Sequence, residues 1–268
     1  MFDVGEIRTL EVSTGEVVDR YPMDEDRYPT SPAIWDDQTL FVGNLYAEIV
    51  ALRKRASAGW VIKVSGGVLY SPPALHRGIL VTQVCSPAGA RLVAALAESG
   101  QVLWEWEGSS SGRGVISLAE GYVIHRRSGA NSVQLALLDL EDGREVWLRS
   151  ASSPSDEDSV EAGCAVARGI VFACLRADLL EARNLVTGDL LWCQELGGAC
   201  SAAPVACRNL VFVGSENGAV EAFDTRCGER AWRVDLPGTI LSTPAVGSSG
   251  LVVATRDGVW CLGMKAVT

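Results

Sequence analysis

Residues 222–232 read AFDTRCGERAW, a segment in which a Gly stands four positions before a Trp. The same spacing occurs in SGQVLW, DGREVW and TGDLLW. Two degenerate copies precede these: STGEVVD, with Asp19 at the Trp position, and RASAGW, with Ala56 at the Gly position. The tryptophans of this column lie 40 to 45 residues apart, at Trp60, Trp104, Trp147, Trp192 and Trp232. A repeat of this period is typical of propellers and solenoids.

Each repeat contains four short segments of alternating or β-branched character, separated by turns of Gly, Asn, Asp or Pro. A Pro-containing segment such as SPPAL supplies strand A, and a run such as LVFVGS supplies strand B. A run ending in AFD supplies strand C, and the Trp lies near the start of strand D. No stretch keeps a helical period. The sequence therefore predicts an all-β propeller whose blades are four-stranded antiparallel sheets.

The Gly and the Trp of the repeat have a physical role in this fold. A Gly between strands C and D supplies the left-handed backbone that a tight hairpin needs. The Trp can pack its large ring between neighbouring blades, and its indole N–H can reach a backbone carbonyl of the adjacent turn. We therefore interpret the five column tryptophans as structural residues and not as ligand-stacking residues.

The two ends of the chain determine the number of blades. The N-terminal segment provides strands C and D, five full repeats follow, and the C-terminal segment provides strands A, B and C. Pairing of the N- and C-terminal strands would close a ring of six blades, in which residues 4–12 and 258–264 compete for one position. Residues 1–268 then form a single propeller domain. The alternative is a larger ring, of seven blades, with the chain as the C-terminal part of a longer protein.

Composition and charge exclude several classes of partner. The 268 residues carry a formal net charge of −10, which argues against binding to nucleic acid or to an anionic membrane surface. No window approaches the run of about 18 apolar residues that a membrane span needs, and MFDVGEIRTLEV lacks the pattern of a secretory signal. The eight cysteines include no C-x-x-C pair, so we expect no metal site and interpret them as buried, reduced thiols of a cytoplasmic protein.

The pattern Ala-x-Asp-x-x-Thr-Gly-x-x-x-Trp resembles the repeat of the PQQ-like (quinoprotein-dehydrogenase-like) β-propeller family over essentially the whole chain. That family includes quinoprotein dehydrogenases and the outer-membrane assembly lipoprotein of Gram-negative bacteria. It also includes the C-terminal propeller of β-alanine-activating acyl-CoA-synthetase-like enzymes, which the segment DLPGTILSTPAV is similar to. The resemblance to the dehydrogenases implies a vicinal Cys–Cys pair, but no two cysteines are adjacent here. We therefore expect neither a quinone nor another cofactor.

Candidate ligand or partner residues lie where strand B meets strand C. His125 stands at a position that the other repeats give to a small residue, and Arg126 and Arg127 follow it. The B–C loops of other repeats carry further polar side chains, which are Arg176, Asp178, Glu216, Asn217, Arg256 and Asp257. By the symmetry of the repeat, we expect these side chains to converge on one face, around the mouth of the channel.

Two functions follow from these residues. No nucleophile elbow, phosphate-binding loop, dinucleotide fingerprint or H-E-x-x-H motif is present in the sequence, which favours a non-catalytic scaffold that binds a protein or peptide partner. The alternative is a propeller that binds a small anionic molecule, or a cofactor-free enzyme. In it, His125 is the candidate acid or base, and Arg126, Arg127 or Arg256 holds the anionic group.

Overall fold

The fold is built from strands that pair in antiparallel order. The computed structural model describes residues 6–22, 31–36, 38–44, 46–53, 59–64, 67–69, 71–86, 89–108, 114–129, 132–152, 163–176, 178–248 and 250–263. Within these ranges five sheets have four strands, one has three and one has two. The predicted all-β propeller architecture of four-stranded antiparallel blades is confirmed. No helix occurs in these ranges, and so none that is long and apolar enough to cross a membrane.

The chain divides into two compact units, of which the first comprises residues 1–113 and 140–143. Its strands are β1 (Glu6–Leu10), β2 (Val17–Pro22), β3 (Ile34–Trp35), β4 (Thr39–Gly43), β5 (Glu48–Arg53), β6 (Val61–Lys63), β7 (Ala74–His76), β8 (Ile79–Ser86), β9 (Gly89–Leu96) and β10 (Val102–Glu107). Strands β1 and β2 form the two-stranded sheet. Strands β3 to β6 and β7 to β10 each form a four-stranded sheet.

The second unit comprises residues 114–139 and 144–268. Its strands are β11 (Gly114–Ala119), β12 (Tyr122–Gly129), β13 (Ser132–Asp139), β14 (Glu145–Ser152), β15 (Ala165–Ala167), β16 (Ile170–Arg176), β17 (Leu179–Asn184), β18 (Leu190–Glu195), β19 (Val205–Cys207), β20 (Leu210–Gly214), β21 (Ala219–Asp224), β22 (Arg230–Asp235), β23 (Ala245–Val246), β24 (Gly250–Thr255) and β25 (Gly258–Gly263). They form three four-stranded sheets and one C-terminal sheet of three strands, β23 to β25.

Burial along the strands of the second unit follows from the stacking of its sheets. All residues from Val171 to Leu175 of β16 are buried, whereas exposure alternates along the outer strand β18. Val171 packs in a core cluster with residues of β12 and β13, and Phe172 packs in a second cluster with residues of β20 and β21. An inner strand covered on both faces needs a continuous apolar run, which is what the strand B segments of the sequence provide.

The column tryptophans link strand D to the next C–D turn. Four indole Nε1 groups donate hydrogen bonds to backbone carbonyls at 2.9–3.1 Å: Trp60 to Ala97, Trp104 to Leu140, Trp147 to Leu185 and Trp192 to Thr225. The fifth, Trp232, is half-buried and its ring lies 5.8 Å from that of Phe212. These contacts give the tryptophan of each repeat a packing role.

The terminal strands do not show how the ring closes. Strand β1 pairs with β2, and the C-terminal sheet has β25 as its last strand within the described part of the chain. Three features therefore stay predictions, which are closure through the N- and C-terminal strands, the count of six blades and the single domain of residues 1–268.

Candidate interaction rim

Three B–C turns of the second unit expose the polar residues that the sequence singles out. The exposed side chains come in pairs, one pair per turn, and they are Arg176 with Asp178, Glu216 with Asn217, and Arg256 with Asp257. We call these turns, together with the chain segments that contact them, the rim. The structure thus places six of the predicted partner-face residues at the surface.

The middle turn of the rim is anchored to the segment that connects β18 to β19. The backbone N–H of Glu216 donates to the carbonyl of Ala199 at 2.7 Å, and Asn217 Nδ2 donates to the carbonyl of Gly197 at 2.7 Å. The Ser201 hydroxyl donates to the Glu216 carboxylate. Because a B–C turn rests on a D–A connection, both kinds of loop lie at the same end of these sheets.

The last turn repeats this arrangement one sheet further on. The backbone N–H of Arg256 donates to the carbonyl of Thr239 at 2.9 Å, in the connection between β22 and β23. Asp257 lies against Gly238 of the same connection, where an added Cβ would come within 2.9 Å of the Asp257 carboxyl carbon. The backbone of the turn is therefore fixed, while the Arg256 and Asp257 side chains stay exposed.

The first turn carries its own ion pair. Arg176 Nη2 lies 3.2 Å from Asp178 Oδ1, and both side chains are more than half exposed. An ion pair in this environment contributes little to stability because water screens it. Both groups are therefore available to a partner at low energetic cost.

The sequence analysis missed one residue of the rim. Leu241 lies in the connection between β22 and β23, two residues beyond Thr239, and 61% of its surface is exposed. The segment PGTILST contains two adjacent apolar residues, Ile240 and Leu241, in an otherwise polar loop. The sequence alone does not indicate which of the two is exposed. The structure separates the two, since Ile240 is fully buried and Leu241 points outward.

The structure corrects the position predicted for His125 and Arg126. Both side chains are buried, with 0% and 2% exposure, so they do not lie at an exposed channel mouth. The reason is that this position of strand B faces the interior in other repeats as well, since the equivalent Thr82 of β8 and Ala173 of β16 are both 1% exposed. His125 is a mid-strand residue that pairs with Ile116 and Ala136.

Arg127 belongs to the same strand, where its backbone pairs with Gly114 and Gln134. Its side chain lies outside what the structure describes. His125 and Arg126 are buried, and Arg256 is the one residue of the small-molecule alternative whose described side chain is exposed.

The Arg126 guanidinium is enclosed near a group of buried thiols. Burial raises the pKa of the Cys164 thiol to about 12, although the positive charge of Arg126 acts in the opposite direction. A hydrogen bond with Cys200, together with burial, raises the pKa of Cys174. A thiol with a raised pKa stays protonated and unreactive at neutral pH. Cys164 and Cys174 therefore stay protonated, whereas the hydrogen bond with Cys174 lowers the pKa of Cys200.

The described ranges contain no group of three or more His, Cys, Asp or Glu side chains that could hold a metal ion. All eight cysteines are free thiols. Cys193, Cys227 and Cys261 are exposed, whereas Cys174 and Cys200 are buried. The prediction of buried thiols therefore holds for Cys174 and Cys200 and is wrong for the three exposed cysteines.

Comparison with known proteins gives matches along most of the chain. A family model described as outer membrane protein assembly factor BamB matches residues 3–174 and again residues 131–263. BamB of Shewanella oneidensis is 26% identical over 133 residues, which make up 45% of this chain and 34% of that protein. The matched stretch covers about a third or less of the length of each curated relative.

Solved structures share the fold at low sequence identity. BamB from Moraxella catarrhalis superposes with a TM-score of 0.61 and 16% identity, over 96% of this chain and 97% of that one. A quinohemoprotein alcohol dehydrogenase from Pseudomonas putida HK5 gives a TM-score of 0.64 and 15% identity, over 88% of this chain and 48% of that one. The family-model match, together with this shared fold, confirms the predicted PQQ-like propeller.

These relatives contradict the predicted cytoplasmic location. Each matching curated relative is named an outer membrane protein assembly factor. The argument from free thiols was wrong because a cysteine without a partner in disulfide geometry remains a free thiol in any compartment. The two matches of the family model together span residues 3–263, and the chain therefore belongs to the PQQ-like propeller family described as outer membrane protein assembly factor BamB.

Proposed function

We propose that the chain is a non-catalytic scaffold that binds a protein partner during the assembly of outer membrane proteins, and that it does so through the rim. The observation that carries the proposal is the construction of the rim. Its turns are fixed through backbone hydrogen bonds to Ala199 and Thr239, while the polar side chains of those turns remain exposed. A surface whose backbone is already ordered loses little entropy when a partner binds.

The chemistry of the rim suits a protein surface. Leu241 supplies an exposed aliphatic side chain near a turn that carries Arg256 and Asp257. Binding energy at protein interfaces concentrates in a few apolar and Arg side chains within a polar surround. We therefore expect the partner to offer a shallow apolar pocket for Leu241 and a carboxylate for Arg256.

The proposal is tested by complementation in a Shewanella oneidensis strain that lacks its own BamB. The chain, exported to the compartment where that protein works, should restore the levels of outer membrane proteins. The double variant Leu241→Glu, Arg256→Glu should restore them much less, because it removes the aliphatic contact and reverses the charge at the carboxylate contact. The amounts of outer membrane proteins in isolated membranes provide the measurement.

Val186→Glu is the matched control, since Val186 is 55% exposed in the turn between β17 and β18 and lies outside the rim. This variant should complement like the parent chain. Equal complementation by the double variant and the parent, with both proteins folded and present in equal amounts, would show that the rim is not the binding surface.

A further inference from the structure

Cys174 and Cys200 bring two thiols together beneath the rim. Cys174 lies in β16, and Cys200 lies in the connection between β18 and β19. Both are fully buried in the same core cluster. The Cys174 thiol donates a hydrogen bond to the sulfur of Cys200, whose own thiol donates to the carbonyl of Ala202 at 3.0 Å. Two cysteines that are 26 residues apart in sequence are thus in direct contact.

The repeat identifies the positions equivalent to these cysteines elsewhere in the chain. Cys174 follows by two residues the Phe of strand B that pairs with an Ala of strand C. Cys200 lies two residues beyond a Gly in the connection from strand D to the next strand A. The same two positions are occupied by Gly43 and Leu69 in one other repeat, and by Gly214 and Ile240 in another.

The backbone brings each of these pairs close together. A Cβ added to Gly43 would lie 3.2 Å from the Cβ of Leu69, and one added to Gly214 would lie 3.5 Å from the Cβ of Ile240. The two Cβ atoms of a disulfide lie about 3.5–4.5 Å apart. The repeat therefore sets these two positions near the spacing that a disulfide needs, and the repeat of β15 to β18 has a cysteine at both.

We propose that Cys174 and Cys200 are a redox-active pair, which closes to a disulfide when the chain meets an oxidant that is itself a protein or small-molecule disulfide. The Cys200 thiolate attacks the oxidant, forms a mixed disulfide and releases one thiolate. The Cys174 thiol then loses its proton, attacks the Cys200 sulfur and releases the second thiolate. The oxidant takes up the two electrons and leaves as two thiols.

The environment of each thiol fits its role in this sequence. The hydrogen bond from Cys174 lowers the pKa of Cys200, which favours the thiolate that attacks first. The pair also lies close to the surface, since Ala199 beside Cys200 is exposed. Local opening of this short connection would admit the oxidant.

The disulfide would tie two turns of the rim to one another. Cys174 lies two residues before Arg176 of the first turn. Cys200 lies between Ala199 and Ser201, which both hold Glu216 of the middle turn. A benefit for partner binding rests on the proposed function, as does an oxidising compartment, whereas the chemistry of the pair does not.

Peptide mapping of the folded full chain tests the proposal. The probe is oxidised glutathione, a small-molecule disulfide, and reduced glutathione is the control. Mass spectrometry under non-reducing conditions should find Cys174 linked to Cys200 after treatment with the probe only. Cys193 and Cys227, which are exposed, should carry glutathione instead.

Thermal unfolding measures what the bond contributes. The oxidised chain should melt about 5 °C or more above the reduced chain, because the bond restricts the unfolded state. Cys174→Ser keeps the exposed cysteines and loses the pair, so its melting temperature should not rise with oxidation. Exchange of the Glu216 amide hydrogen should slow about tenfold or more in the oxidised parent chain, and unchanged exchange would contradict the effect on the rim.

Transfer of the pair to another repeat tests the geometric argument. The double variant Gly214→Cys, Ile240→Cys should form a second disulfide under the same conditions, because the spacing belongs to the repeat. Gly214→Cys alone is the control, and its new thiol should stay out of any bond with Ile240. The mapping of the parent chain needs no substitution, so it decides the proposal even where a variant does not fold.

Three outcomes would overturn the proposal. They are Cys174 and Cys200 that stay free thiols in the folded chain after oxidation, a link between them that forms only in the denatured chain, and an equal rise in melting temperature for Cys174→Ser. The Leu241→Glu, Arg256→Glu variant keeps both cysteines and should form the disulfide like the parent. Failure of the rim and failure of this pair are therefore distinguishable.

Discussion

At the scale of single residues, the repeat depends on how a glycine and a tryptophan meet. Gly228 has a φ of +73°, and a Cβ added there would lie 2.7 Å from Cδ2 of Trp192. Gly100 and Gly188 meet Trp60 and Trp147 in the same way. The glycine is thus required twice, by its left-handed backbone and by the ring that packs directly on it.

Gly228→Ala should lower the free energy of unfolding more than Gly169→Ala does. Gly169 is the matched control because its φ is +71° but an added Cβ would meet nothing within 4 Å. Both variants carry the same backbone cost of about 1–2 kcal/mol. Gly228→Ala should add about 1–3 kcal/mol of overpacking against Trp192. Urea unfolding measures both changes, and equal losses would show that the Trp192 contact carries no stability.

Residue-scale features were predictable to different degrees. The Gly and Trp columns could be found from sequence because a packing requirement that recurs in every repeat leaves a recurrent pattern. The burial of His125 could not, since one ionisable residue in one repeat has no counterpart for comparison. Leu241 could not be separated from Ile240 either, because a two-residue apolar pair in a loop does not indicate which side chain faces the core.

At the scale of strands, a buried carboxylate attaches β21 to the segment that follows β18. Glu221 is fully buried, and its Oε2 accepts a hydrogen bond of 3.0 Å from the backbone N–H of Gly197. Its Oε1 lies 3.0 Å from Arg230 Nη1 and 4.0 Å from Arg233 Nη1. One carboxylate therefore joins a strand of one sheet to the connection that supports the Glu216 turn of the rim.

Replacing Glu221 by Ala should destabilise the chain by about 1–3 kcal/mol, because the Gly197 N–H loses its partner. Glu221→Gln, which keeps an acceptor oxygen, should cost less. Glu229→Ala is the control, since this Glu is exposed. Faster hydrogen exchange at the Gly197 amide would locate the effect, whereas unchanged exchange in Glu221→Ala would contradict this role.

Element boundaries explain why the predicted partner face was only partly right. The B–C turns at Glu216 and Arg256 end strands of ordinary length, so the symmetry of the repeat placed their side chains well. His125 and Arg126 lie before the end of strand B, at positions where Thr82 and Ala173 of other repeats are also buried. A prediction that takes an ionisable side chain to mark a surface position therefore fails there.

At the scale of the whole molecule, the prediction of a single propeller domain concerns how far unfolding is cooperative. A repeat protein is stabilised by its repeats and by the interfaces between neighbours. Each described unit contains interfaces of this kind, such as the Trp60 contact with Gly100 in the first and the Trp192 contact with Gly228 in the second. If all the repeats fold as one domain, damage to either interface should destabilise the same cooperative transition.

Scanning calorimetry of the parent chain should therefore show one transition, with equal calorimetric and van't Hoff enthalpies. Gly100→Ala and Gly228→Ala, one in each unit, should each lower the midpoint of that transition without splitting it. Gly169→Ala again supplies the control for the backbone cost. Two transitions in the parent, one lowered only by Gly100→Ala and the other only by Gly228→Ala, would show two independently folding domains and overturn the prediction.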